Sequence, residues 1–195
     1  SATATYIGSY DGSGETFHGL IDSLRMYNYA RTSSQIAWEY NRGAPIAWYK
    51  LNECQGTTAY NSALSGNGAA LGNNGTITIG ANGTNTAAGT CVGASGQAWK
   101  DGAIGKNGAS LEFDGTDDTI AIPDSDNIDF TSSQNFSIST WVKIPATQIN
   151  TGASSNAIIE KWAGSGGYPY VIRIYNQGAG GNAHKIFVAR YDGTN

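Results

Sequence analysis

Asp22 and Glu53 are the residues whose types and spacing most suggest chemistry. From Leu20 to Met26 the even positions are Leu20, Asp22, Leu24 and Met26, and period-two spacing puts such a set on one face of a strand. A carboxylate among apolar side chains needs donors, a cation or a metal, because the bare ion costs several kcal/mol to bury. Glu53 shares a face with Ala47, Tyr49 and Leu51 in the strand beginning at Ile46, and it opens a loop that holds Asn61 and Asn67. If the two strands are neighbours, Asp22, Glu53, Asn61 and Asn67 make a hard-oxygen set suited to a structural calcium ion, which takes roughly six to eight oxygens. The competing account has Asp22 hydrogen-bonded to backbone N–H groups or paired with an arginine.

Other acidic stretches have plainer explanations. The run Asp124-Ser125-Asp126-Asn127-Ile128-Asp129 lacks the central Gly and closing Glu of a helix–loop–helix calcium loop, so it reads as solvated loop carboxylates. Asp114, Asp117 and Asp118 flank an Asp-Gly pair, a common turn former. The two histidines, His18 and His184, sit beside no plausible Ser or Cys nucleophile, and the chain is expected to have no catalytic residues.

Aromatic residues offer a different chemistry. Trp141 alternates out of phase with the apolar face of its strand, as do Tyr175 and Trp162. Exposed rings of this kind stack on sugars or cover a neighbouring module. Asn74, Asn82 and Asn135 begin N-x-S/T sequons, which matter only in a host that glycosylates them.

Cys54 and Cys91 are the chain's two cysteines, so one intrachain pairing exists. A disulfide there would close a Gly- and Asn-rich loop and remove denatured-chain entropy worth on the order of 3–4 kcal/mol. The alternative is a pair of unrelated thiols.

The elements that position these residues are strands. The chain has 195 residues, 27 of them Gly and only 13% charged, a composition that fits one all-β sandwich with many turns and no long helix. Leu111/Phe113, Ile120/Ile122 and the run Phe136, Ile138, Thr140, Val142, Ile144 all alternate, and 157–162, 168–175 and 185–191 supply three more strands. Regular short strands of this kind predict a two-sheet antiparallel sandwich. Thr32-Ser33-Ser34-Gln35 fits a capping box before a short helix that Gly43 would stop. A net charge of -4 argues against nucleic acid and anionic membranes as partners. No apolar run is long enough to span a bilayer, and the few lysines with two cysteines suit an extracellular or surface protein.

The segments FHGLIDSLRMYNYARTSSQI, WYKLNECQGTTAYNSALSGNG, LEFDGTDDTIAIPDS and FSISTWVK resemble the successive motifs of laminin-G-like domains in the concanavalin A-like lectin and glucanase superfamily, in particular those of tandem bacterial surface proteins. The resemblance implies an antiparallel jelly-roll sandwich and a structural calcium near the junction of first and last strands, while the Glu-x-Asp-x-Glu pattern of the superfamily's hydrolases does not occur in this sequence. It also implies an unusual order, because the family's closing strand and helix come first here.

Residues 1–43 would then be the closing strands and helix of one module, 44–45 a linker, and 46–195 the opening and central part of an incomplete module. The stretch that the family places between its YDGT-like turn and YIGSYDG-like strand has no counterpart. Residues 17–29 are expected to pair with 46–53 of the same chain or with a neighbouring subunit. Missing strands leave unpaired edges, so the expected function is a structural or adhesive module completed by a neighbour in a head-to-tail filament or tandem adhesin. The alternative is a carbohydrate-binding, lectin-like module.

Overall fold

The computed structural model describes residues 4–10, 12, 15–32, 35–36, 45–64, 70–93, 95–102, 104–130, 134–145, 155–162, 169–176 and 185–190. It is all-β, with two antiparallel sheets facing each other across one apolar core. In chain order the strands are β1 (Thr5–Ile7), β2 (His18–Tyr27), β3 (Ala47–Tyr49), β4 (Thr58–Ala59), β5 (Gly75–Thr78), β6 (Trp99–Lys100), β7 (Ser110–Asp114), β8 (Thr119–Ile122), β9 (Ser137–Lys143), β10 (Ser155–Lys161), β11 (Tyr170–Tyr175) and β12 (Ile186–Ala189). The first sheet runs β12-β11-β10-β1-β8-β5-β4.

The second sheet is organised around β2. One edge of β2 pairs with β9. Along the other edge, β7 takes His18–Ile21 and β3 takes Leu24–Met26, while β6 extends the sheet beyond β7. The two strands that precede residue 43 therefore join different sheets: β1 lies between β8 and β10, and β2 between β9 and the β7/β3 pair. The pairing expected between the 17–29 and 46–53 segments forms within the chain.

The expected faces of β2 hold only for its first half. Asp22 pairs with Trp141 and the next paired residue, Arg25, with Ser139, so β2 carries one extra residue at a bulge where Ser23 adopts φ 51°. A bulge residue breaks the two-residue period. Ile21, Leu24 and Met26 consequently point into the core, while Asp22 lies with Leu20 on the opposite face and not with Leu24 and Met26. No glycine announces this exchange in the sequence.

The core follows the alternation of the other strands. Leu111 and Phe113 of β7 and Ile120 and Ile122 of β8 are fully buried. The capping box forms: the Gln35 N–H donates to Thr32 Oγ1, the Thr32 N–H donates to Gln35 Oε1, and the Ile36 N–H reaches the Thr32 carbonyl. The body of the helix expected after it falls outside the described residues. Among the described residues a 3-10 turn at Asp126–Ile128 is present, capped by the Ser125 hydroxyl.

Candidate functional site

Cys54 and Cys91 are joined in a disulfide with Cα atoms 4.8 Å apart. It ties the start of the loop bearing β4 and β5 to its end, where the Cys91 N–H also donates to the Cys54 carbonyl. Through β5 that loop adds Ile77 to the core and pairs with β8.

The residues expected to form a calcium site have separate partners. Asp22, 3% exposed, accepts from the Ser23 hydroxyl and from the Asn107 N–H. Its charge is thus held by hydrogen bonds, in line with the competing account. Glu53 Oε1 accepts from the Tyr60 N–H. Asn61 Oδ1 accepts from the Trp48 and Ala63 N–H groups, which uses the side-chain oxygen to clamp the turn after β3. Asn67 lies outside the described residues.

Carboxylates converge elsewhere. Asp114, Asp117 and Asp118 bring one ligand oxygen each within 4.8 Å of one another. Asp114 and Asp118 lie at the ends of β7 and β8, and the segment 80–85, brought alongside by β5, faces them. Asp117 Oδ2 accepts from the backbone and side-chain N–H groups of Asn82, Asp114 Oδ2 from the Asn85 N–H, and Asp118 Oδ2 from the Asn85 side chain and the Asp114 N–H. Turn formation accounts for the Asp114-Gly115 step, with Gly115 at φ +83°, but not for a fully buried Asp118. Burial pushes the Asp118 carboxyl above its usual range, opposed by its hydrogen bonds and reinforced by the Asp114 charge.

The cluster fits a hard cation in part. Asp117 Oδ1 is buried and has no hydrogen-bond partner, whereas the other oxygens already accept N–H donors. Glycine makes the close approach possible: a Cβ at Gly80 would collide with the Asp117 carboxylate, and one at Gly83 with that of Asp114. The sequence sets the three acids side by side but hides the 80–85 segment that meets them, which lies about thirty residues earlier in the chain.

Asp124 and Asp129 are not simply solvated. Both contact the ammonium group of Lys161, whose side chain is only 4% exposed. They anchor the 3-10 turn onto β10, an ion-pair arrangement that leaves the buried lysine compensated.

The three aromatic residues singled out from the sequence do not form one site. Trp162 packs on Tyr10, and Tyr175 on Phe187 along the first sheet. Trp141 stands on the outer face of the second sheet, 53% exposed. There it borders a groove of about 970 Å³ with Arg25, Trp48, Lys50 and Lys106. Cross-strand pairing builds this surface, since Ser139, Arg25 and Trp48 form one row and Trp141 and Asp22 the next. Arg25 and Lys50 lie over the Trp48 ring at 4.4 and 4.5 Å, and Lys106 lies 4.9 Å from the Trp141 ring centre.

A second opening lies between the sheets. Ile186 and Val188 of β12 pair with Ile174 and Ile172 and so belong to the core-facing side. They are nevertheless 64% and 68% exposed. A cleft of about 510 Å³ between β9 and β11–β12 is lined by Phe136, Ile138, Tyr170, Ile172 and Val188. Among the described residues, β9 and β12 each have one unpaired edge.

No family model, curated protein or solved structure matches this chain.

Proposed function

We propose that the chain is a non-enzymatic, extracellular structural or adhesive module of laminin-G-like type, whose open side is completed by a strand from a neighbouring copy. The observation that carries this reading is the exposure of Ile186 and Val188 on the inward face of β12. Apolar side chains on a core face are exposed when the opposite sheet ends short of them. A strand added to the free edge of β9 would cover them, gain backbone hydrogen bonds and fill the cleft. Repeated head to tail, such a contact does not close on itself and builds a filament. The disulfide supports an oxidising, extracellular setting, and no described helix is long and apolar enough to cross a membrane.

A structural calcium ion belongs to the same reading. The three carboxylates at Asp114, Asp117 and Asp118, which bring oxygens within 4.8 Å of one another and include the partnerless Asp117 Oδ1, support that location better than the Asp22, Glu53 and Asn61 set, in which Asp22 and Asn61 serve N–H donors and Glu53 Oε2 alone is buried without a partner. A divalent ion there would offset the repulsion among the three acids.

Light scattering over rising protein concentration tests the assembly. The expected result is concentration-dependent growth, with elongated particles in electron micrographs, and loss of both in the Ile186→Lys, Val188→Lys double variant. A wild-type chain that stays monomeric at high concentration overturns the reading.

A further inference from the structure

We propose that Lys161 and Asp124 become joined by an amide bond between their side chains, formed with loss of one water while Asp129 carries protons. The inference concerns a covalent tie within one chain and does not rest on assembly through the open side.

Position along the strands carries the argument. Lys161 of β10 stands in register with Thr5 of β1 on one side and Tyr170 of β11 on the other, and Thr5 stands in turn opposite Ile122 of β8. Residues in one such row share a face of the sheet, and Ile122 and Tyr170 belong to the core. Lys161 is therefore a lysine on a core-facing row, with its side chain 4% exposed. Its Nζ lies 2.7 Å from Asp124 Oδ1 and also contacts Asp129 Oδ1. Phe130, next to Asp129, stacks on Phe136 and packs against Tyr170, so the inner wall of the site is apolar. A buried ion pair adds little stability over apolar side chains of similar size, and charge pairing alone is a weak reason for a lysine in this row.

These groups are the ones that amide formation needs: an amine, a carboxyl carbon held against it, and a second acid to move protons. Fixed contact replaces the encounter of two separate groups and accelerates their reaction. Asp129 takes one proton from the Lys161 ammonium, which frees the nitrogen lone pair. Nζ then attacks Asp124 Cγ and a C–N bond forms. Asp129 returns its proton to the departing Asp124 oxygen, which receives a second proton from the nitrogen; the C–O bond breaks and water leaves. Asp129 ends as the carboxylate it began as. One positive and one negative charge vanish together, so the apolar wall favours the product over the ion pair. Exposure assigns the roles. Asp124, at 23%, is shielded enough to keep an amide, whereas Asp129, at 48%, is open to proton exchange with solvent.

Topology gives the bond a use. β8 and β10 are joined through β1, which lies between them. The tie would cross the start of β1 and hold its two neighbours together, much as the disulfide holds the loop bearing β4 and β5.

Mass spectrometry of the full chain, purified folded and then reduced and unfolded, tests the proposal. Wild type should weigh one water less than its sequence. A tryptic digest should give a branched peptide that joins 107–143 to 144–173 through Asp124 and Lys161, with no cleavage after Lys161. Lys161→Arg and Asp124→Ala should each restore the full mass. Asp129→Asn cannot take the proton, and at a retained circular dichroism spectrum it should slow bond formation by about a hundredfold. Full mass for wild type after prolonged incubation in the folded state overturns the proposal, because a plain ion pair leaves the mass unchanged. A water loss that persists in Lys161→Arg also overturns it, by placing the loss elsewhere in the chain. A branched peptide that joins Lys161 to Asp129 overturns the roles given to the two acids.

Discussion

Asp22 and Trp141 stand opposite each other across the β2–β9 ladder, at the last paired position before the bulge at Ser23. The bulge sends Asp22 outward while Leu24 and Met26 turn inward, and Thr140 secures the kinked backbone by donating its hydroxyl to the Asp22 carbonyl at 2.8 Å. The same carboxylate holds the 104–107 loop through the Asn107 N–H. A buried acid thereby positions Lys106 beside Trp141.

Asp22→Ala removes the acceptor for Asn107 and Ser23. The expected loss of stability is about 1–2 kcal/mol, toward the lower end for a buried hydrogen-bonding group because exposed Asn107 can turn to water. Asp22→Asn keeps one acceptor and should lose less. Urea unfolding measures both, and a wild-type midpoint for Asp22→Ala would contradict the positioning role.

Cys54→Ser with Cys91→Ser opens the stapled loop. Its residues contribute Ala59, Ile77 and Ala88 to the core, so the fold keeps a reason to close, but from a freer denatured chain. The loss should be on the order of 3–4 kcal/mol at unchanged pH. Denaturant titration of the double variant beside reduced wild type checks it: the two should agree, and near-native stability in both would show that the loop orders without the tie.

Gly83→Ala introduces a Cβ against the Asp114 carboxylate at a residue with φ +91°. Both the backbone and the contact oppose it, and a cost of about 1–2 kcal/mol is expected. Gly56 has a positive φ but open space around it, so Gly56→Ala should lose about 1 kcal/mol from backbone strain alone. Thermal unfolding of the pair separates the two causes, and equal losses would mean that the Asp114 contact relaxes freely.

Strand alternation made much of this architecture legible. Leu111/Phe113 and Ile120/Ile122 bury as their spacing predicts, the lone cysteine pair closes, and Thr32 and Gln35 cap each other. Local patterns suffice for such features. Ser23 shows where they fail: its positive φ is imposed by the sheet, where β2 changes partner from β7 to β3. The acid cluster and the basic groove were illegible for a related reason. Asn85 meets Asp114 and Asp118 only after β5 pairs with β8, and Arg25, Lys50 and Lys106 meet only once the bulge has reversed the faces of β2.

Asp118 should make stability depend on pH in an unusual direction. Its folded carboxyl is raised above the ordinary value of 3.8, mainly by burial, so the folded chain holds that proton more tightly than the unfolded chain does. The stabilisation linked to the bound proton is complete below the ordinary carboxylate range and is lost as pH rises through the raised value. Asp118→Asn keeps an oxygen for the Asn85 side chain and the Asp114 N–H and cannot ionise. Its stability should fall less than wild type's between about pH 4 and pH 7. Calcium, if it binds the three acids as proposed, should raise the wild-type melting temperature near neutral pH, and chelator should reverse the gain. The response should shrink in Asp118→Asn and in Asp117→Asn, which alters the cluster's own buried oxygen without a partner. Scanning calorimetry across pH, with calcium and with chelator, reads both effects. Parallel pH profiles for wild type and Asp118→Asn would refute the titration argument, and a melting temperature indifferent to calcium would refute the cation alone.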